Sequence, residues 1–239
     1  MDIPDSVHAD LEALGFDLSG AMLERLAIYL EFLMEHNRRV NLTAVRSWQE
    51  AWHRLIIDSL TLLPALENFA PEATVIDIGS GGGLPGIPIA VTREDLSVTL
   101  LEATGKKSQF LDSCIERLGL HRVTTIQGRA EIIGRHPEHR QQYDVAVSRA
   151  IGTMSVVLEY SLPLVKVGGA ILAMKGPKAE AELAAAADAM AVLGAGELAV
   201  FDAYPDSFEN QLVVIAIGKD RPTPWKYPRD PGIPKRAPL

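Results

Sequence analysis

Val75-Ile76-Asp77-Ile78-Gly79-Ser80-Gly81-Gly82-Gly83-Leu84-Pro85-Gly86-Ile87-Pro88 organises the whole chain. It opens with a β-branched apolar run, which reads as a buried strand. The run stops at glycines 79, 81, 82 and 83, which admit positive φ and let another group approach the backbone closely. Pro85 sets φ near a helical value, so an apolar helix carrying Ile87, Ile89 and Ala90 starts there. Strand, glycine turn and helix N-terminus together form a cradle whose N–H groups face a ligand.

Two cofactor classes compete for such a cradle. Gly81 to Gly86 satisfies G-x-G-x-x-G, the dinucleotide fingerprint, which alone is a weak signal. Read one turn earlier, Asp77-Ile78-Gly79-Ser80-Gly81-Gly82-Gly83 is the acidic-x-G-x-G-x-G pattern of S-adenosylmethionine (AdoMet) methyltransferases. The tight turn should follow the strand directly, which makes Gly79 its first glycine. Gly81 and Gly83 then lie where an adenosyl group meets the backbone. Asp77 suits an ammonium-bearing ligand and would repel a diphosphate. The plain alternative is a glycine-rich turn without a ligand, but four glycines in five positions cost folding entropy.

Composition sets the outer limits. The 239 residues are enough for one good core, or one core and an appendage. At 47% apolar and 23% charged, the chain is an ordinary globular composition. It has no apolar run of about 18 residues, so no membrane span is expected. The acidic start, Met1-Asp2-Ile3-Pro4-Asp5, lacks the basic segment of a signal peptide. A single cysteine, Cys114, rules out an internal disulfide and a cysteine-based zinc site. A cytoplasmic protein is expected.

The net charge of −8 argues at first against nucleic acid. Its distribution is uneven, because residues 219–239 carry six basic side chains against two acids. Local patches matter more than net charge for phosphate contact. The same stretch holds six prolines, which predicts an extended or loosely packed tail.

Before the glycine loop the chain reads as helical. Leu23, Leu26, Ala27, Leu30, Leu33 and Met34 recur at spacings of three and four. Asn37 to Thr43 breaks that pattern. Ser47-Trp48-Gln49-Glu50 is a capping box that opens a second helix, expected to end at Pro64. Arg38, Arg39, Arg46, His53, Arg54 and Asp58 are the notable polar residues here. They read either as a solvated face or, for the arginines, as contacts to a polyanion.

After the loop, Ser97 to Glu102 is a second strand ending in a carboxylate. Glu102 lies 23 residues beyond Gly79, near the interval for an acid that accepts bonds from a ribose diol. Gly105 to Leu118 is a helix with Cys114 on its apolar side. Val123 to Gln127 is a third strand, followed by Gly128-Arg129-Ala130-Glu131, where an adenine amino group can be read. Tyr143 to Ala150 is a fourth strand ending in Ser148-Arg149-Ala150. A helix from Met154, a Gly168-Gly169 turn and a fifth strand from Ala170 to Met174 come next. Residues 178–193 are alanine-rich and predict one strong helix. Leu198 to Ala203 and Leu212 to Gly218, with no helix between them, pair antiparallel. The expected fold is α/β, the Rossmann-like seven-stranded class I AdoMet methyltransferase sheet. Its division is a helical N-terminal extension (1–70), a cofactor-binding domain (71–219) and a basic Pro-rich tail (220–239).

The end of the fourth strand bears on the methyl acceptor. It carries neither an Asn/Asp-Pro-Pro-aromatic motif for a base amine nor a Pro-Cys for attack on a pyrimidine ring. An acceptor with a free lone pair, such as a guanine ring nitrogen, needs no general base and only has to be held in line. Arg149 suits a cofactor carboxylate, a phosphate or the guanine carbonyl edge. Lys175, at the end of strand five, is a further substrate-contact candidate.

These residues resemble one family. Asp77 to Pro88 resembles the glycine loop of the bacterial small-subunit rRNA guanine-N7 methyltransferases, also called glucose-inhibited division protein B. Asn41 to Val45, His53 and Asp58-Ser59-Leu60 look like its N-terminal signature. Arg129-Ala130-Glu131, Ser148-Arg149-Ala150 and the stretch Tyr227 to Leu239 match in order and spacing. The chain departs from the usual pattern at Glu102-Ala103-Thr104, where Asp-Ser is commoner, and at Arg236-Ala237. The resemblance implies methyl transfer from AdoMet to N7 of one guanine in the decoding-region loop of 16S rRNA. It implies cofactor contacts from Gly79, Leu84, Ala130, Glu131 and Arg149, with Glu102 as the ribose acid. Asp77, Gly81 and Gly83 complete the expected cradle. The RNA-contact candidates are Arg38, Arg39, Arg46, Lys175, Arg229, Lys235 and Arg236. The substrate is expected to be 16S rRNA or a 30S particle, met by a monomer without metal or membrane. A small-molecule AdoMet methyltransferase and a nicotinamide-dependent oxidoreductase are the alternatives.

Overall fold

The computed structural model describes residues 2–208 and 211–239. Seven strands form one sheet in the order β3-β2-β1-β4-β5-β7-β6. They are β1 (Thr74–Ile78), β2 (Ser97–Glu102), β3 (Val123–Gln127), β4 (Tyr143–Arg149), β5 (Val165–Lys175), β6 (Ala195–Asp202) and β7 (Val213–Lys219). The first five run parallel, and β7 enters antiparallel between β5 and β6. The closing hairpin read from the sequence is therefore present.

Strand side chains alternate between two cores, as the period of two requires. Val75, Val98, Leu100, Val145 and Val147 face one core, together with the N-terminal helices. Ile76, Ile78, Leu101, Ala146 and Ile171 face the other, against the helix Met154–Ser161. Cys114 lies in the first core, as its place in an apolar stripe requires.

The N-terminal part begins with helices α1 (Asp5–Ala13) and α2 (Gly20–Val40). Asn37 explains why α2 stops. Its amide donates to the Thr43 carbonyl at 2.8 Å and accepts from the Leu42 and Thr43 N–H groups at 2.7 and 2.9 Å. Asn41 takes a left-handed φ of 55° at the turn. Ser47 caps the next helix by accepting from Glu50 N at 3.2 Å, as the capping box requires. That helix is not regular: Trp48–Ala51 leads into a π-helical stretch, Trp52–Ile57, and then Asp58–Leu60.

Four expectations need correction. Pro64 does not end a helix; it sits in the first turn of Leu63–Leu66, where a missing N–H leaves no bond unmade. Gly168 and Gly169 lie inside β5 rather than in a turn. A Cβ on Gly169 would sit 2.8 Å from Val165 Cγ1 and closer still to the Asp144 carbonyl, so Gly169 marks a close backbone approach, whereas Gly168 has open space around it and a φ of +87°. Residues 178–193 form two helices, Ala179–Ala184 and Ala187–Leu193, not one. The break places Ala186, Ala189 and Leu193 in the second core, and packing overrides uniform propensity. Lastly, the proline-rich tail is docked. Thr223, Tyr227 and Pro234 are buried, and Arg140 holds the Thr223 and Tyr227 carbonyls at 2.7 and 2.8 Å.

Candidate active site

The glycine loop leaves β1 at its carboxyl end, and long-range bonds hold it. The Gly79 and Ser80 N–H groups both donate to the Leu101 carbonyl, at 2.8 and 3.0 Å. Gly79 has φ +72°, and a Cβ there would stand 2.8 Å from Ile151 Cγ2. That position therefore needs glycine on both counts. The helix that follows, Gly86–Thr92, starts where the Asp77 carboxylate accepts from Gly86 N at 3.0 Å.

Asp77 is wholly buried behind the loop and does not line the cleft. Its Oδ1 has no hydrogen-bond partner among the described residues. Burial, only partly offset by the Gly86 N–H and the Ser80 hydroxyl, raises its pKa to about 7. Its visible work is to fix the loop from behind. From the other side, Tyr29 on α2 donates to the Gly82 carbonyl at 2.6 Å, a clamp that sequence reading missed.

A cleft of about 330 Å³ opens at the carboxyl ends of β1 to β4, where ligands bind in open α/β sheets. Gly79, Glu102, Ala130 and Glu131 line it together, although 52 residues separate the first from the last. Gly81, Gly83, Leu84 and Arg149 are not in this lining; they stand next to it in the loop and at the end of β4. Ile78, Leu101 and Ile151 give the cleft apolar walls. The Glu102 carboxylate is held in place by the Gly81 N–H at 2.9 Å and the Thr104 N–H at 2.7 Å. It thus joins the glycine loop to the second strand.

Glu131 is 3% exposed, and its Oε1 accepts from Arg129 Nη2 at 3.0 Å and Tyr160 Oη at 3.2 Å. Tyr160 was missed because it stands in the last turn of an apolar helix, Met154–Ser161, where it reads as core. Its hydroxyl is pushed well above the ordinary tyrosine range by burial and by Glu131.

Arg149 ends β4 with its guanidinium mostly covered. Nη2 lies 3.6 Å from Asp58 Oδ2, and the Tyr204 hydroxyl donates to Asp58 Oδ1 at 2.5 Å. Nη1 is buried and has no partner among the described residues. Burial lowers the Arg149 pKa, against the opposing pull of Asp58. A buried guanidinium nitrogen without a partner is expensive and marks a place for an acceptor. Ala150, next in the chain, has φ 56° and turns the backbone into the cleft.

The basic candidates divide into two groups. Arg38 and Arg39 are exposed, and so is Arg46, which donates to the Thr43 and Val45 carbonyls. Lys175 and Arg229 are instead committed within the protein. Lys175 is 9% exposed and donates to Glu182 Oε2 at 2.7 Å and to the Gly152 carbonyl. Arg229 grips Glu159 with contacts of 2.6 to 3.1 Å. Their expected contact with RNA is not what these side chains are placed to do. Lys235 and Arg236 are exposed on the short helix Ile233–Arg236, and Lys235 reaches the cleft lining.

Comparison with known proteins bears on this geometry. The family model described as rRNA small subunit methyltransferase G matches residues 22–207. A ribosomal RNA small subunit methyltransferase G of Moorella thermoacetica is 42% identical over 225 residues, 94% of this chain and 93% of that protein. The protein of the same description in Lactobacillus johnsonii is 38% identical over 237 residues, 99% of each chain. Among solved structures, M. jannaschii TYW2 in complex with AdoMet has a TM-score of 0.53 at 15% identity, covering 74% of this chain and 79% of that one. A putative S-adenosyl-L-methionine-dependent methyltransferase of Methanococcus maripaludis also has a TM-score of 0.53 at 15% identity, covering 82% and 94%. At these identities the structural likeness is one of fold.

Proposed function

The chain belongs to the rRNA small subunit methyltransferase G family, and from that membership we propose that it methylates N7 of a guanine in the decoding-region loop of 16S rRNA. It is an AdoMet-dependent rRNA methyltransferase of the class I fold. The nicotinamide and small-molecule alternatives have no support in that membership.

The observation that carries the reading is the cleft itself, which gathers Gly79, Glu102, Ala130 and Glu131 at the strand ends. Its donor and acceptor set fits the cofactor. Glu102 offers a carboxylate for a ribose diol, and the apolar walls suit the faces of an adenine ring. The unpartnered Arg149 Nη1 suits a carboxylate. AdoMet, when bound, supplies an electrophilic methyl group on a sulfonium. Gly79, Gly81, Gly83 and Leu84 shape the loop against it, and Asp77 holds that loop to the following helix.

Guanine N7 carries a free lone pair, so this chemistry calls for alignment rather than proton removal. The role assigned to Arg149 is to orient the cofactor or the guanine. Arg38, Arg39 and Arg46 are assigned to RNA phosphate, and Arg236 extends that basic surface. In this reading residues 1–70 form an extension that meets RNA, 71–219 the catalytic domain and 220–239 a distinct C-terminal segment. The protein works as a monomer in the bacterial cytoplasm, without metal. No helix among the described residues is long and apolar enough to cross a membrane.

The test is methyl transfer from labelled AdoMet to 30S particles and to free rRNA, followed by nucleoside analysis. The expected product is 7-methylguanosine, and the two substrates show whether assembly matters. A methylated base of any other kind would overturn the N7 assignment.

A further inference from the structure

The C-terminal segment lies beyond residue 207, where the family model ends, and it reaches the cleft. Three arginines tether it. Arg140, 5% exposed and beneath the Trp225 ring at 4.3 Å, donates to the Thr223 and Tyr227 carbonyls. Arg135 Nε donates to the Pro228 carbonyl at 2.8 Å. Arg229 binds Glu159, which is fully buried, through its guanidinium and through its own N–H at 2.8 Å. All three tethers lie upstream of the part that meets the cleft.

That part makes two contributions. The Gly232 N–H donates to Glu131 Oε1 at 2.8 Å, on the same oxygen that takes Arg129 and Tyr160. Burial pushes the Glu131 carboxyl up, but the Gly232 N–H, Arg129 and the Glu131 N–H outweigh it and hold it below the ordinary carboxylate range. A buried carboxylate that loses a donor must move or take up a proton. Ala130 and Glu131 both line the cleft, so such a movement changes its shape. Lys235, three residues beyond Gly232, enters the same lining beside Tyr160 and Ala150.

We infer that the last nine residues are a working wall of the cofactor site: Gly232 positions Glu131, and Lys235 donates a hydrogen bond to the adenosine end of AdoMet. This rests on the reading of the cleft as the cofactor site. It moves Lys235 from the RNA surface to the cofactor, and it makes Gly232 a positioning residue.

The experiment is calorimetric titration of AdoMet, without RNA, into the full chain and three variants. The first ends after Asp230, which removes Gly232 and Lys235 but keeps the three arginine tethers. The others are Lys235→Ala and Lys235→Arg. Truncation is expected to raise the dissociation constant about tenfold or more, the scale of one lost charge-assisted bond. Its far-UV spectrum should stay that of the full chain. Lys235→Ala should weaken binding several-fold, and Lys235→Arg should recover most of that loss, which a merely structural role would not produce.

Wild-type affinity in both the truncated chain and Lys235→Ala would overturn the inference. If truncation prevents folding, the Lys235 pair decides. Weak binding by the truncated chain with unchanged Lys235→Ala would remove Lys235 and keep Gly232. If the wild-type chain binds no AdoMet, the cofactor reading itself fails and the wall falls with it.

Discussion

Tyr29 and Gly82, 53 residues apart, are joined by a buried 2.6 Å hydrogen bond from the tyrosine hydroxyl to the glycine carbonyl. The bond ties helix α2 to the centre of the glycine loop. Leu33 and Leu42 close over the same glycine, where an added Cβ would meet them at 3.2 and 3.5 Å. The N-terminal helical part therefore does more than precede the sheet; it holds the glycine loop from one side.

Tyr29→Phe leaves the ring and removes the donor, so the Gly82 carbonyl stays buried without it. The expected loss is about 1 kcal/mol, or roughly fivefold in AdoMet affinity if the loop loosens. Calorimetry and a melting curve on the same sample separate the two effects. A lowered melting temperature with unchanged affinity would assign the bond to stability alone.

Arg149 has one guanidinium nitrogen facing Asp58 and another with no partner among the described residues. Arg149→Ala is expected to lower single-turnover methyl transfer about a hundredfold, the scale of lost alignment, with the fold retained. Arg149→Lys keeps a charge but not the planar fork, and should recover only part of the rate. Normal transfer by the alanine variant would remove Arg149 from the mechanism.

What was readable in the sequence was what local chemistry encodes. The β-branched run before Gly79 and the acid 23 residues later both carry their meaning in spacing, and the structure brings them together through Gly81 and Glu102 at 2.9 Å. The antiparallel ending followed from two β runs with no helix between them. Partners distant in sequence were not readable. Arg229 looked like a free cation because Glu159, 70 residues earlier, sits in the last turn of an apolar helix with no mark of its role. The prolines of the tail suggested an extended chain because the Arg140 guanidinium that collects its carbonyls lies more than 80 residues away. Asp77 was read as facing a ligand, since alternation along a strand does not say which face carries the loop.

Asp77 should make stability depend on pH in an unusual direction. Burial raises its folded pKa from 3.8 to about 7, so the folded chain binds a proton that the unfolded chain has released. Its stabilising contribution is full below about pH 4 and is lost as pH rises to about 7, with a slope of roughly 1.4 kcal/mol per unit at most. Asp77→Asn keeps an acceptor for the Gly86 N–H and removes the titration. The measurement is urea unfolding of both chains at pH 5, 6, 7 and 8. The wild-type stability minus that of the variant should fall between pH 5 and 7 and then level off. A flat difference would show that Asp77 is ionised throughout.

Binding of RNA should depend on a small set of arginines near α2, not on net charge. The chain carries −8 overall, which opposes a polyanion at long range. Lys175 and Arg229 have spent their charge on Glu182 and Glu159. Arg38 and Arg39, in the last turn of α2, and Arg46, beyond it, remain exposed on either side of the turn whose Leu42 packs over Gly82 of the glycine loop. Changing all three to Gln should weaken binding to a 16S fragment and reduce the slope of log affinity against log salt by about two to three, near one for each phosphate no longer neutralised. AdoMet affinity should not change, since none of the three lines the cleft. An unaltered salt slope would move the RNA surface elsewhere, with Arg236 and the rim of the C-terminal segment the next place to test.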